Sequence, residues 1–232
     1  MQILALDAST EVCAVALGDG VHWLERSEVA GQRHSELLLP MIGAILADCG
    51  VTLQQLDGIA FGAGPGSFTG LRIACGVAQG LALGAALPVV GVSTLEAIAQ
   101  TRRDQAGGER IIAAIDARMR EVYVGAYIRD AGGWREVVAP VVVSPDAAPV
   151  PEGHGWIAAG SGFAAYPSLR QVYGAAFSEC DGTIVPSATA IGKLSLPRFA
   201  AGKGVPAREA APIYVRHRVA LTIAERAAGL RL

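Results

Sequence analysis

Short apolar runs broken by turn residues open the chain, and the pattern then changes period. Ile3–Leu6, Val12–Leu17 and Val21–Val29 read as strands, and Gly18-Asp-Gly20 between the last two is a tight hairpin signal. From His34 to Cys49 the apolar residues Leu38, Met41, Ile42, Ile45, Leu46 and Cys49 recur at helical spacing. Ser35 is a candidate cap for that helix, and Pro40 has to fall near its first turn or kink it. A strand at 57–61, a helix from Ser67 to Gly84, a strand at Val89–Val92 and a helix from Ser93 follow. The order β-β-β-α-β-α-β-α predicts an α/β fold, a mixed sheet covered by helices.

The stretch from Arg102 to Glu109 is polar and carries two glycines, which suits a linker. After it the pattern restarts. Ala5-Leu-Asp-Ala-Ser-Thr-Glu-Val12 is matched by Ala114-Ile-Asp-Ala-Arg-Met-Arg-Glu-Val122, with one extra residue, and Gly64-Pro-Gly-Ser-Phe68 is echoed by Gly160-Ser-Gly-Phe163. Two matches in the same order predict duplicated lobes facing each other, the first over residues 1–101 and the second over 110–232. Strands are expected in the second lobe at Ile111–Ile115, Val122–Ile128, Glu136–Val143 and Trp156–Ala159, with helices at Phe163–Leu169 and Ala188–Ala200. A last helix, Val219–Leu232, would pack back on the first lobe.

Composition narrows the function. Hydrophobic residues make up 52% and charged residues 17%, with mean hydropathy +0.40, so an apolar surface awaiting a partner is expected. Net charge is −2, which excludes a general polyanion binder. Residues 193–232 nevertheless hold eight Lys or Arg against Glu209 and Glu225, a balance of +6 that leaves −8 on residues 1–192. Such a tail suits either a solvated helix or a contact with RNA or an acidic partner. The uncharged run from Ile73 to Val92 is long enough to span a bilayer, but Leu87-Pro88 divides it into a buried helix and a buried strand. Cys13, Cys49, Cys75 and Cys180 are far apart and form no metal or redox motif; His22, His34, His154 and His217 show no ligand spacing. The amino-terminal run is interrupted by Asp7 and reads as a strand, not a signal peptide.

Three pieces carry candidate chemistry. At the end of the first strand, Asp7 can orient a metal-bound phosphate while Ser9 and Thr10 donate to it; the same residues equally make a plain turn. Gly64-Pro-Gly-Ser67 can cradle an anion at a helix start, or simply cap that helix; no Gly-Lys-Ser/Thr follows, so it is no P-loop. In the second lobe Arg118, Met119 and Arg120 stand where a phosphate hairpin wants small residues, and the two arginines suit either phosphate or a partner's carboxylates. Gly76, Gly80 and Gly84 repeat every fourth residue and lay a smooth stripe on the second long helix, for packing within the lobe or against another helix.

Leu4-Ala-Leu-Asp-Ala-Ser-Thr10, Gly64-Pro-Gly-Ser-Phe-Thr-Gly-Leu-Arg-Ile73, Gly91-Val-Ser-Thr-Leu-Glu96, Asp116-Ala-Arg-Met-Arg-Glu-Val-Tyr123 and Pro212-Ile-Tyr-Val-Arg216 closely resemble the TsaB (YeaZ) family. The resemblance implies a two-lobed actin-like ATPase (ASKHA, ribonuclease H-like) fold with duplicated mixed sheets. It implies a cytoplasmic accessory subunit of the machinery that adds threonylcarbamoyl to the adenosine beside the anticodon of tRNA. The catalytic subunit would be a TsaD-type paralogue, with a TsaE-type ATPase driving cycling and tRNA met only through the complex. The paralogue's two histidine metal ligands correspond here to Thr94 and Ile98, so no catalytic residue and no metal is expected. The partner surface is placed on Leu38, Met41, Ile42, Ile45, Leu71, Gly76 and Gly80, which would also form a homodimer when the chain is alone. No cofactor is expected to be required; Asp7, Ser9, Gly160 and Gly162 are candidates for nucleotide contact, and weak ATP or ADP binding is expected at the partner interface. The alternative is an active ATPase or sugar-kinase-like phosphotransferase. No membrane role is expected.

Overall fold

The computed structural model describes residues 1–216. The expected helix at 219–232, and Arg218, Arg226 and Arg231, lie outside the described residues.

Two five-stranded sheets share one plan. In the first, β1 (Ile3–Asp7) pairs antiparallel with β2 (Val12–Gly18), which pairs antiparallel with the edge strand β3 (Trp23–Val29). On its other side β1 runs parallel to β4 (Gly58–Gly64), and β4 parallel to β5 (Val89–Ser93). In the second, β6 (Arg110–Asp116), β7 (Val122–Asp130) and β8 (Gly133–Val143) form the antiparallel side. β9 (Trp156–Ala159) and β10 (Phe177–Asp181) continue parallel from β6. The orders 3-2-1-4-5 and 8-7-6-9-10 are the same topology repeated. Duplication read from two short sequence matches is thus present strand for strand.

Among the described residues six α-helices cover the sheets: α1 (His34–Cys49), α2 (Phe68–Ala85), α3 (Thr94–Ala106), α4 (Ser161–Ala165), α5 (Ser168–Tyr173) and α6 (Ala188–Ala200). β1 is buried on both faces, so its alternate side chains serve two cores. Leu4 and Leu6 pack with Leu38, Ile42, Ile45, Ala74 and Ala78 of α1 and α2. Ile3 and Ala5 pack instead with Ala188, Ala190, Ile191 and Leu194 of α6. The second sheet is built likewise: Ile112 and Ala114 face Phe163, Leu169 and Tyr173, while Ile111, Ala113 and Ile115 face Leu95, Ile98 and Ala99 of α3. Helices following the last strand of each lobe therefore cross to the opposite sheet. Glu25 of β3 fixes one crossing by accepting the Ala188 and Thr189 N–H groups at the start of α6.

Four expectations need correction. The Gly18-Asp-Gly20 signal makes a longer loop, because Gly18 pairs with Trp23 and Asp19 accepts the Val21 and His22 N–H groups. Residues 102–106 continue α3 rather than forming a linker, and Arg102 is buried against Glu179 and Gly107 O. Ser35 does not cap α1; Arg33 occupies the cap position without a side-chain bond. The predicted helix at Phe163–Leu169 is broken into α4 and α5, with Tyr166 and Pro167 between them. β10 follows, a strand that the sequence reading missed.

Candidate functional site

A cleft of about 940 Å³ opens between the lobes. Ser9 and Thr10 of the β1–β2 turn and residues 66–70 at the start of α2 form one side. Ile115–Arg118, Tyr123 and Ser161 of the second lobe form the other. The sequence places its candidate nucleotide contacts, Asp7, Ser9, Gly160 and Gly162, around this cleft, so the fit of these residues decides what the cleft can do.

Asp7 does not face it. The carboxyl is 1% exposed, accepts Ser9 Oγ at 2.9 Å on Oδ2, and has no partner on Oδ1. Burial pushes its pKa up to about 7, Glu25 adds to the rise, and the Ser9 hydrogen bonds oppose it. A carboxyl withdrawn from solvent and partly protonated near neutrality is a poor magnesium anchor. Ser9 is itself 1% exposed and engaged with Asp7, while its carbonyl accepts Ser67 N–H.

The glycine motifs serve close packing. A Cβ at Gly70 would collide with Ala8 O, and one at Gly66 with Ser9 O, so the Gly64–Arg72 string lets α2 start directly against the β1–β2 turn. Ser67 Oγ caps α2 through Gly70 N–H. In the second lobe, a Cβ at Gly160 would strike Ala114 O, and one at Gly162 would crowd Ala114 and Val122. Gly160 and Gly162 are thus pressed onto β6 rather than held open around phosphate. The residues present do not fit a magnesium nucleotide bound between the lobes.

The β6–β7 turn replaces the phosphate hairpin by an unusual backbone. Arg118, Met119 and Arg120 have φ of 59°, 54° and 59°, three successive non-glycine residues in the left-handed region. Asp116 Oδ1 accepts Arg118 N–H at 2.8 Å and Tyr166 Oη at 2.8 Å; Glu121 N–H closes on Arg118 O.

A strap from the carboxy-terminal side pins this turn to α2. Val205 bridges to Val89, Ala210 O accepts Gln79 Nε2, and Ile213 N–H donates to Ala63 O. Tyr214 stacks on Phe68 at 5.7 Å and accepts Arg72 Nε, while the Arg72 guanidinium lies over the Phe68 ring. Arg216 then crosses to Ala117 O and Glu121. Sequence reading singled out the motifs holding Arg72 and Arg216 without seeing that they meet through Tyr214.

On the far side of α2 lies the expected partner face, with different residues from those proposed. Leu38, Ile42 and Ile45 are buried in the first-lobe core, and Leu71 is 2% exposed. These four cannot meet a partner, because the helical apolar period marks the inward side. Met41 is half-buried. Gly76 and Gly80 are exposed, and a Cβ at Gly76, Gly80 or Gly84 would meet nothing within 4 Å. Phe68, Arg72, Gly76, Gly80 and Gly84 form one ridge at a spacing of four. On α1, which packs against α2, Leu39, Gly43, Ala44 and Ala47 are exposed, and Leu83 of α2 is 78% exposed. The missed residues had a readable signal, the same four-residue phase carried on small side chains. α2 is long and apolar enough to cross a membrane by length and composition, but its Gly70, Leu71, Ala74, Cys75, Ala78 and Ala82 are buried in this fold.

Thr94 is fully buried with its hydroxyl unpartnered, and Ile98 lines the cleft. Among the described residues no group of three His, Cys, Asp or Glu side chains is placed to hold a metal. The basic segment is largely neutralised where it is described: Lys193 pairs with Asp104, Arg198 with Glu96, Arg208 with Glu209 and Arg216 with Glu121.

A family model described as "TsaD: tRNA N6-adenosine threonylcarbamoyltransferase" matches residues 25–197. The chain is 40% identical to the "tRNA threonylcarbamoyladenosine biosynthesis protein TsaB" of Escherichia coli K12 over 224 residues, covering 95% of this chain and 96% of the relative. It is 39% identical to the protein of the same description in Haemophilus influenzae, covering 94% and 95%. The solved structure "YeaZ from Pseudomonas aeruginosa" superposes with a TM-score of 0.86 at 41% identity, over 92% of this chain and 99% of that one.

Proposed function

This chain belongs to the TsaB (YeaZ) family of tRNA threonylcarbamoyladenosine biosynthesis proteins, with an actin-like fold, and from that premise we propose that it is a non-catalytic subunit that binds a TsaD-type transferase through α1 and α2. The observation that carries this reading is the ridge of Gly76, Gly80 and Gly84 beside Gly43, Ala44 and Ala47, exposed and flanked by Leu39 and Leu83. Small residues let a partner's helices approach closely, and the flanking leucines supply apolar area. A second copy of the chain would use the same patch when the partner is missing, so a homodimer competes with the heterodimer.

Withdrawal of Asp7 and the presence of Thr94 and Ile98 at the paralogue's metal positions support the absence of chemistry on this subunit. ATP or ADP binds weakly, at the partner interface, and no cofactor is required. A TsaE-type ATPase joins through the complex, which works in the cytoplasm. tRNA is met through the assembly; Arg216, held by Glu121, is not among its free contacts.

Mixing the chain with a purified TsaD-type subunit and following size-exclusion profiles tests this. A stoichiometric heterodimer, with transferase activity only when TsaD is present, is expected. Steady ATP hydrolysis by the isolated chain, without complex formation, would favour the kinase-like alternative.

A further inference from the structure

The ridge on α2 does not end on glycine. Towards the start of the helix Arg72 and Phe68 continue the row above Gly76, and the strap sets Ile213 and Tyr214 beside them. Phe68, Ile213 and Tyr214 are 46%, 45% and 44% exposed, so large apolar side chains face solvent where the row begins. Aromatic residues and arginine are the types that most often anchor a protein interface.

Their arrangement is fixed from within the chain. Ile213 N–H donates to Ala63 O at 2.7 Å and seats the strap on the end of β4. Tyr214 packs on Phe68 with ring centroids 5.7 Å apart and planes at 39°. The guanidinium carbon of Arg72 lies 3.9 Å from the Phe68 ring centroid, and Arg72 Nε donates to Tyr214 Oη at 3.1 Å. One face and one edge of the guanidinium are therefore held, while Nη1 and Nη2 have no acceptor among the described residues. The four other arginines between Met1 and Ala106 each meet a carboxylate: Arg26 meets Asp48, Arg33 Glu28, Arg102 Glu179 and Arg103 Glu109. Among the described residues Arg72 meets none. A guanidinium oriented in advance loses less freedom on binding, and its open fork of N–H groups matches a carboxylate.

We infer that Arg72 is the charged anchor of the docking face, receiving an aspartate or glutamate side chain of the TsaD-type partner in its Nη fork, and that Tyr214 of the strap is the positioning residue that aims it. The inference rests on the docking reading of α1 and α2 and extends that face onto the strap. A helix that closes over the glycine row takes water away from Arg72, and a paired carboxylate offsets that loss better than a neutral acceptor does.

The test is the dissociation constant of the full chain for a purified TsaD-type subunit at about 50 mM and about 500 mM salt, read beside thermal melts. Arg72→Gln is expected to weaken binding about tenfold or more at low salt, to flatten the salt dependence, and to leave the melt of the isolated chain unchanged. Arg72→Lys should recover only part of the loss, since an ammonium lacks the fork. Tyr214→Phe keeps the ring stack and removes the oxygen that holds Nε. It should cost about threefold in the unaltered chain and nothing further once Arg72 is Gln. Undiminished binding by Arg72→Gln, a loss equal at both salt concentrations, or a loss accompanied by a lowered melt would overturn the anchor. A Tyr214→Phe loss that persists in the Arg72→Gln background would overturn the positioning role. Failure of the docking reading looks different: Gly80→Leu then binds as the unaltered chain does, or the unaltered chain forms no complex, which overturns both.

Discussion

Arg216 Nη2 lies 2.5 Å from Glu121 Oε2 and 3.0 Å from Ala117 O, so one guanidinium at the end of the strap holds both sides of the β6–β7 turn. The Arg216 side chain is 11% exposed and that of Glu121 38%, and the guanidinium also lies 5.7 Å from the Tyr123 ring centroid. Replacing Arg216 by Ala leaves a partly buried carboxylate and a carbonyl without their donor. The expected loss is about 2–3 kcal/mol in denaturant unfolding. Arg216→Lys should recover only part of it, since a single ammonium cannot reproduce the fork. Full recovery by Lys would reduce the contact to simple charge.

The turn that Arg216 holds is strained. Three non-glycine residues near φ +55° to +60° each cost about 1–2 kcal/mol relative to the right-handed region. Arg120→Gly removes one such penalty but increases the freedom of the unfolded chain. A net gain of about 0.5–1 kcal/mol is expected in thermal or urea unfolding. A loss of stability would mean that the Arg120 side chain makes a compensating contact.

Asp7 gives the fold a pH dependence. Its folded pKa of about 7 exceeds the ordinary 3.8, so between those values the folded chain holds a proton that the unfolded chain has released. The associated stability is fully present below pH 3.8, declines as pH rises, and is gone once pH passes about 7. Asp7→Asn should flatten this slope and raise stability at pH 8, by on the order of 4 kcal/mol at most. Parallel urea titrations of both proteins from pH 5 to pH 8 check it; identical slopes would show that Asp7 is ionised in the fold.

Much of this architecture is legible in the sequence, and the failures have local physical causes. α1 and α6 fall where the apolar period places them, and Ser67 and Ser93 cap α2 and α3. The same period misdirects the search for an interface: Leu38, Ile42 and Ile45 are the strongest signal on α1 because they are core, whereas the proposed docking face is written in the exposed Gly43, Ala44 and Ala47. β10 is missed because Phe-Ser-Glu-Cys-Asp on an exposed edge has no apolar run. Polar residues 102–106 look like a linker, yet Arg102 finds Glu179 from the other lobe, a partner no local window reveals. The left-handed turn at Arg118-Met119-Arg120 carries no glycine to announce it, and the strap that holds it comes from 96 residues further along the chain than Arg120.

The central claim, that the glycine ridge of α2 is the docking face, is tested most directly at Gly80. A Cβ there meets nothing within 4 Å, so Gly80→Leu leaves the isolated fold intact and improves helix propensity. At a tight helix interface the added bulk costs about 1–3 kcal/mol, a loss of roughly 5- to 150-fold in affinity. Leu38→Ala is the converse control, expected to lower stability by about 2–5 kcal/mol through the core. The measurement is the dissociation constant of Gly80→Leu for a TsaD-type subunit, read beside its thermal melt. An unchanged or higher melt with weakened binding is the predicted result; an unchanged melt with undiminished binding would contradict the account.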